Sequence, residues 1–215
     1  MSDKILCNGS YAGNLTEAEV AKRQEKIEKA FESIYDALGV DWKNDHNSAD
    51  SPKRISKMMC TETLSGLFEA PPKLTFFENP TRFDQLICTG PISVQSQCAH
   101  HLAPIEGNAF IGILPNADGK IVGLSKYARI VRWFSRRLQI QEELTSQIAD
   151  YLEEQLKPAG LAVRIIAKHF CMSHRGVMEH ASVMDTTIVR GVLRESQSIK
   201  QEFLSSCAMM REGIK

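Results

Sequence analysis

Nowhere in the 215-residue chain is there a run of 18 apolar residues, so no membrane-spanning helix and no membrane partner are expected. The opening MSDKILCNGS lacks the basic-then-apolar order of a secretory signal, and the expected location is cytoplasmic. Net charge is missing too, because 26 Lys and Arg balance 26 Asp and Glu. Nonspecific nucleic-acid binding depends on a net basic surface, so no nucleic-acid partner is expected. A small anionic ligand remains possible, since it needs only a local group of cations. Cysteine is sparse and scattered, at Cys7, Cys60, Cys88, Cys98, Cys171 and Cys207. Such wide, irregular spacing in a chain long enough to bury its own core does not read as a disulfide framework. It reads as thiols in a reducing compartment, some of them available to a metal.

Internal repeats and low-complexity tracts are also absent, which leaves ordinary secondary-structure patterning to be read. Residues 16–39 have Thr16 as N-cap, acids in the first turn, Ile27, Ala30, Phe31, Ile34 and Leu38 at helical spacing, and Gly39 as the stop. A second helix is expected from Asp50 or Ser51, with Pro52 in its first turn and Gly66 near its end. EAPPKLTFFENP reads as a proline-rich joint. Beyond it, residues 85–98 and 106–115 read as strands and NADGK as a turn. Residues 124–158 have a helical period closed by Pro158 and Gly160; 161–173 and 181–195 read as strands, and 198–212 as a last helix. Paired strands on either side of helices predict an α+β fold, an antiparallel sheet with helices on one face. The expected division is an N-terminal helical region over 1–83 and a main domain over 84–215, forming one compact unit.

The chemistry concentrates in QSQCAHHLAP and HFCMSHRG. Cys98 and His101, three apart, suit a tight turn around one ion. On a strand, His169 and Cys171 would share a face. Cys98, His101 and Cys171 together offer two thiolates and an imidazole, a set that suits zinc and leaves a fourth position for water, as in catalytic sites. A closed structural cage of Cys98, His100 or His101, Cys171 and His169 satisfies the same spacing. Cys60, Cys88 and Cys207 read as small core hydrophobes, and His46 as an ordinary hydrogen-bonded residue.

SPKRISKM, CAHHLAP, VGLSKYARIV, SRRLQIQEELT and HFCMSHRGV, in this order and with these gaps, resemble GTP cyclohydrolase I over roughly residues 20–210. The resemblance implies a tunnelling fold, in which strand pairs from several subunits close into a barrel, with an N-terminal helical extension and a homodecamer as the assembly. It implies GTP as substrate, formate and 7,8-dihydroneopterin triphosphate as products, and one zinc per subunit on Cys98, His101 and Cys171. His100 and His169 are then left to move protons, as imidazoles titrating near neutrality can. Glu142 is implied as the guanine anchor with Gln141 beside it. Ser125, Lys126, Arg129, Arg175, Arg54 and Lys57 are implied around the ribose and triphosphate. Folate, biopterin and deazaguanine routes all begin with this reaction, so the pathway stays open. On one unbroken helix Lys126 and Glu142 would lie about 24 Å apart. Either the helix breaks near SRRLQ or its two ends serve different subunits; the family's pockets at subunit boundaries favour the second.

Three residues depart from the family pattern: Ala99 where Glu is usual, Glu143 where Arg is common, and His174 before Arg175. Ala99 removes a carboxylate beside a metal ligand, and with it comes an alternative reading: a barrel that binds GTP with altered or lost catalysis. Two relatives of the same fold are also weighed, a pterin synthase with histidine-only zinc and a nitrile reductase with a Cys nucleophile. The Cys98/His101/Cys171 set favours the cyclohydrolase over both.

Overall fold

The computed structural model describes residues 13–117 and 119–213. Cys7 and Asp118, the latter inside the expected NADGK turn, lie outside the described residues. The first helix, α1 (Glu17–Ala37), begins as its sequence dictates. The Thr16 hydroxyl accepts from the Glu19 N–H while the Glu19 carboxylate accepts from the Thr16 N–H at 2.8 Å, a reciprocal capping box. Helix α2 (Ser51–Met58) has Pro52 in its first turn, where a missing N–H costs nothing, and continues as a π turn (Met59–Thr63) and a 3-10 turn (Ser65–Leu67). Cys60, Leu64, Leu67 and Phe68 from this stretch bury against Leu15, Val20 and Ile27 as a separate small core.

Strand β1 (Phe76–Glu78) pairs antiparallel with β4 (Lys120–Val122), a two-stranded sheet not expected from the proline-rich joint. That pairing bridges the boundary expected near residue 83. The main sheet is built from β2 (Ile87–Cys98), β3 (Pro104–Leu114), β5 (Leu138–Gln139), β6 (Gly160–His169) and β7 (Met184–Gly191), in the order β5-β2-β3-β6-β7. Only the short β5–β2 contact is parallel.

Alternation along the strands decides which helices the sheet carries. Ile105, Ala109, Ile111 and Ile113 of β3, with Leu161, Val163 and Ile165 of β6, meet α3 (Leu124–Ser135) and α4 (Gln141–Leu156) through Ile130, Leu144, Ile148 and Leu152. The opposite face also carries an apolar stripe. Phe110, Leu114 and Ala162 bury against Leu193 of α6 (Val192–Glu195) and Phe203 of α7 (Gln197–Glu212). The helices therefore lie on both faces, where one was expected. The reason is local: β3 is apolar on both sides at its C-terminal end, and Gly112 lacks the Cβ that would meet the Phe203 ring at 2.6 Å. Burying Phe110 and Phe203 completely contributes about 1.5–3 kcal/mol each.

The segment read as helical from 124 to 158 breaks. After α3 the chain runs extended through β5 beside the end of β2, then re-enters helix at Gln141. The Arg137 guanidinium stacks on the rings of Trp133 and Phe134 at 3.9 and 4.8 Å, and the Gln139 amide donates to the Phe134 carbonyl at 2.8 Å. The helix itself turns, so the separation expected along one unbroken helix does not apply.

Candidate active site

Strand β2 ends at Cys98, and residues 99–103 return the chain into β3. Two backbone bonds close this turn: Cys98 N–H to Ala103 O at 2.8 Å and Leu102 N–H to Cys98 O at 2.9 Å. Leu102 takes positive φ (53°) to complete it. Ala99 N–H donates to Gln139 O at 3.0 Å, so the extended break between α3 and α4 props the turn from beside. Cys98 is buried at the strand end while His100 and His101 project outward, their rings 6.2 Å apart and edge to face.

The second half of the site comes from β6. The expectation that His169 and Cys171 share one strand face is not what forms. The strand ends at His169, and Cys171 lies in the single helical turn α5 (Phe170–Ser173). That turn carries the Cys171 thiol to Cys98 and His101: the three donor atoms lie within 4.8 Å of one another. Tetrahedral zinc with two thiolates and an imidazole requires donor separations of about 3.5 Å. The donors already lie close to that spacing, and soft sulfur with borderline nitrogen suits that ion, so the residues present fit it. Burial, then the neighbouring Cys98, push the Cys171 thiol up, and Arg175 opposes them. A metal that displaces the thiol proton removes that conflict.

His100 and His169 stand outside the three-donor group. His100 Nδ1 lies 3.9 Å from the Cys98 sulfur. His169 is half-buried, and its Nε2 sits 2.7 Å from the Gln141 side-chain oxygen. Burial pulls the His169 imidazole below its ordinary range, and the Glu142 carboxylate pulls the other way. Gln141 and Glu142 open α4, so the helix start places one against His169 and leaves the other exposed to solvent. Gln141 is wholly buried, so within this chain its side chain holds protein groups and does not reach outward. Nothing in the sequence pattern distinguished that role from contact with a ligand.

Of the expected cations, Arg175 lies at the cluster, its Nη1 3.0 Å from His101 Nε2. Ser125, Lys126 and Arg129 belong to the N-terminal half of α3, whereas the C-terminal end of that helix leads through β5 to Cys98. Twelve helical residues span about 18 Å. Arg54 and Lys57 sit exposed on α2, with Arg54 3.5 Å from Asp50, and α2 packs against α1 and its own π turn. One chain thus collects the three donors, both outlying histidines, Glu142 and Arg175 at one end. Glu143 is half-buried, and His174 is exposed with its ring 5.2 Å from that of Phe170.

Among the described residues no helix is long and apolar enough to cross a membrane, and the five described cysteines form no disulfide. A model of the GTP cyclohydrolase I family matches residues 27–208. The GTP cyclohydrolase 1 of Shewanella loihica is 40% identical over 185 residues, covering 86% of this chain and 85% of that protein. Those of Vibrio cholerae (40%, 87% and 85% covered) and Aeromonas hydrophila (41%, 86% and 84% covered) are as similar. Among solved structures, an archaeosine synthase QueF-Like in the apo form aligns with a TM-score of 0.39 and 12% identity, over 57% of this chain and 97% of that one. With a family match of this extent, the chain belongs to the GTP cyclohydrolase I family.

Proposed function

We propose that this protein opens the guanine imidazole ring of GTP by hydrolysis, releases C8 as formate, and closes the rearranged product to 7,8-dihydroneopterin triphosphate. The observation that carries the reading is the convergence of Cys98, His101 and Cys171 beside two histidines that are not part of the donor group. The three donors would hold one zinc per subunit. When bound there, zinc supplies the Lewis acidity that makes water nucleophilic near neutral pH.

The remaining work falls to side chains. Glu142, exposed at the start of α4, can accept the N1 and N2 hydrogens of guanine in paired, charge-assisted bonds. His169, next to it, and His100, beside Cys98, can give a proton to the leaving ring nitrogen and take one back during the ribose rearrangement. Arg175 brings a cation to the same place. Ser125, Lys126, Arg129, Arg54 and Lys57 complete the phosphate grip from another copy of the chain. The position of Ser125 and Lys126 in the first turn of α3, whose other end leads through β5 to Cys98, supports that arrangement. So do the outer edges of β2 (before Gln97) and β7, which have no strand partner among the described residues and can pair between subunits. A closed ring of such pairs, two rings to a decamer, is the assembly this reading proposes.

The test is to incubate the zinc-loaded protein with GTP and assay both formate and the fluorescence of the oxidised pterin. Both products are expected. GTP binding with neither product selects the non-catalytic alternative, in which Ala99 has removed a needed carboxylate.

A further inference from the structure

We propose that Gln141 is a positioning residue that fixes the tautomer of His169, leaving Nδ1 as the ring nitrogen that exchanges protons with substrate. This rests on reading His169 as a proton-transfer residue.

The directions of the hydrogen bonds around Gln141 are forced, one after another, by groups that can only accept. The Gln141 backbone carbonyl takes the Thr145 hydroxyl hydrogen at 2.7 Å. With that hydrogen committed, the 2.7 Å contact between Thr145 and Thr186 must have Thr186 as donor. The Thr186 oxygen is then free to accept from Gln141 Nε2 at 3.1 Å. The same Nε2 faces the carbonyls of Ile165 at 3.0 Å and Met184 at 3.1 Å. A flipped amide would set its oxygen against those two carbonyl oxygens in a wholly buried place, leaving all three without a hydrogen between them. The amide orientation is therefore fixed by β6 and β7 without reference to the histidine.

What remains is Gln141 Oε1, an acceptor, 2.7 Å from His169 Nε2. An acceptor at that distance requires a hydrogen on Nε2. The neutral ring is then the Nε2–H tautomer, with the lone pair on Nδ1. With Nε2 committed to Gln141, Nδ1 is the ring nitrogen left to exchange a proton. Because the Gln141 backbone opens α4 next to Glu142, the same turn would hold the purine and the histidine in register.

Magic-angle-spinning 15N NMR of the zinc-loaded protein, labelled at histidine ring nitrogens, reads the tautomer under mildly alkaline conditions; His169→Asn assigns the signals. The expected spectrum is a neutral ring protonated at Nε2. A ring protonated at Nδ1, or an even mixture, overturns the proposal whatever any variant does. Gln141→Met and Gln141→Glu both lose the three donor contacts, but only Met loses the acceptor. Gln141→Met should shift the ring towards Nδ1–H and lower kcat for formate release about 10- to 100-fold with KM within about 3-fold. Gln141→Glu should keep Nε2–H. If the two variants give the same tautomer ratio, Gln141 is only a structural residue. Formate release at the wild-type rate in His169→Asn sinks the catalytic reading of that histidine, while the tautomer assignment is decided by the wild-type spectrum alone.

Discussion

Cys171 is the residue on which the site turns, because it comes to Cys98 and His101 from another part of the chain through one helical turn after β6. Replacing it or Cys98 by Ser removes a thiolate, and an unchanged circular dichroism spectrum would show the fold retained. Zinc content measured by elemental analysis should fall from about one per subunit to below about 0.2, and formate release should vanish with it. Unchanged zinc in Cys171→Ser would mean the ion is held elsewhere. Ala99 poses a different question. It is half-buried, and its N–H is held by Gln139 O, so a larger side chain there must share space with the ligand turn. Ala99→Glu is expected to raise turnover or leave it unchanged; a severe loss would show a site rebuilt around alanine. The donor set was legible in the sequence, because two of its members lie within one turn and the residue types themselves favour zinc. The Gln141–His169 contact was not legible. It depends on β6–β7 register, which places Ile165 opposite Thr186 and Ala167 opposite Met184, around an amide that reads as any polar residue at a helix start.

At the scale of elements, the break between α3 and α4 is the feature that builds the site, since it supplies both the prop under Ala99 and the N-terminus of α4. Its sequence carries no Gly or Pro, and apolar residues continue at helical spacing across it, so periodicity reads straight through. Tertiary contacts make the break: β5 on β2, Arg137 on two rings, Gln139 on Phe134, and the 3-10 turn beneath. Gly66 in that turn lies so close to α3 that an added Cβ would come 2.1 Å from the Trp133 carbonyl and 2.9 Å from that of Arg136. Neither backbone oxygen can yield without moving the end of the helix. Gly66→Ala should therefore cost about 3 kcal/mol or more, a fall of about 6–12 °C in Tm for a chain of this size. A loss under about 1 kcal/mol by calorimetry would show that this contact does not hold α3. The capping box of α1 was, by contrast, readable to the residue, because it is formed by side chains three positions apart in one segment.

At the scale of the whole molecule, the placement of charge is incomplete in one chain. Glu142 and Arg175 stand with the metal ligands. Lys126 and Arg129 stand in the N-terminal half of a 12-residue helix whose other end leads to Cys98, and Arg54 and Lys57 are exposed on α2. A nucleotide that uses all of these is expected to touch more than one subunit, as the proposed assembly provides. The sheet offers the means, with an open edge at β7 and another along most of β2; strands of opposite edges can pair head to tail and close a ring. A protein whose pocket is finished only by its neighbour loses activity on dilution before it loses its fold. A fraction shown by light scattering to be monomeric should release no formate from GTP even with zinc bound, and activity should return as the assembly re-forms. Mixing two inactive variants, Cys171→Ser and Lys126→Ala, gives the sharper measurement. Mixed rings contain some pockets with wild-type ligands from one copy and wild-type Lys126 from the other, so partial activity should reappear on co-assembly. Full turnover in the monomer, or no recovery in rings shown to be mixed, would place the whole pocket within a single chain.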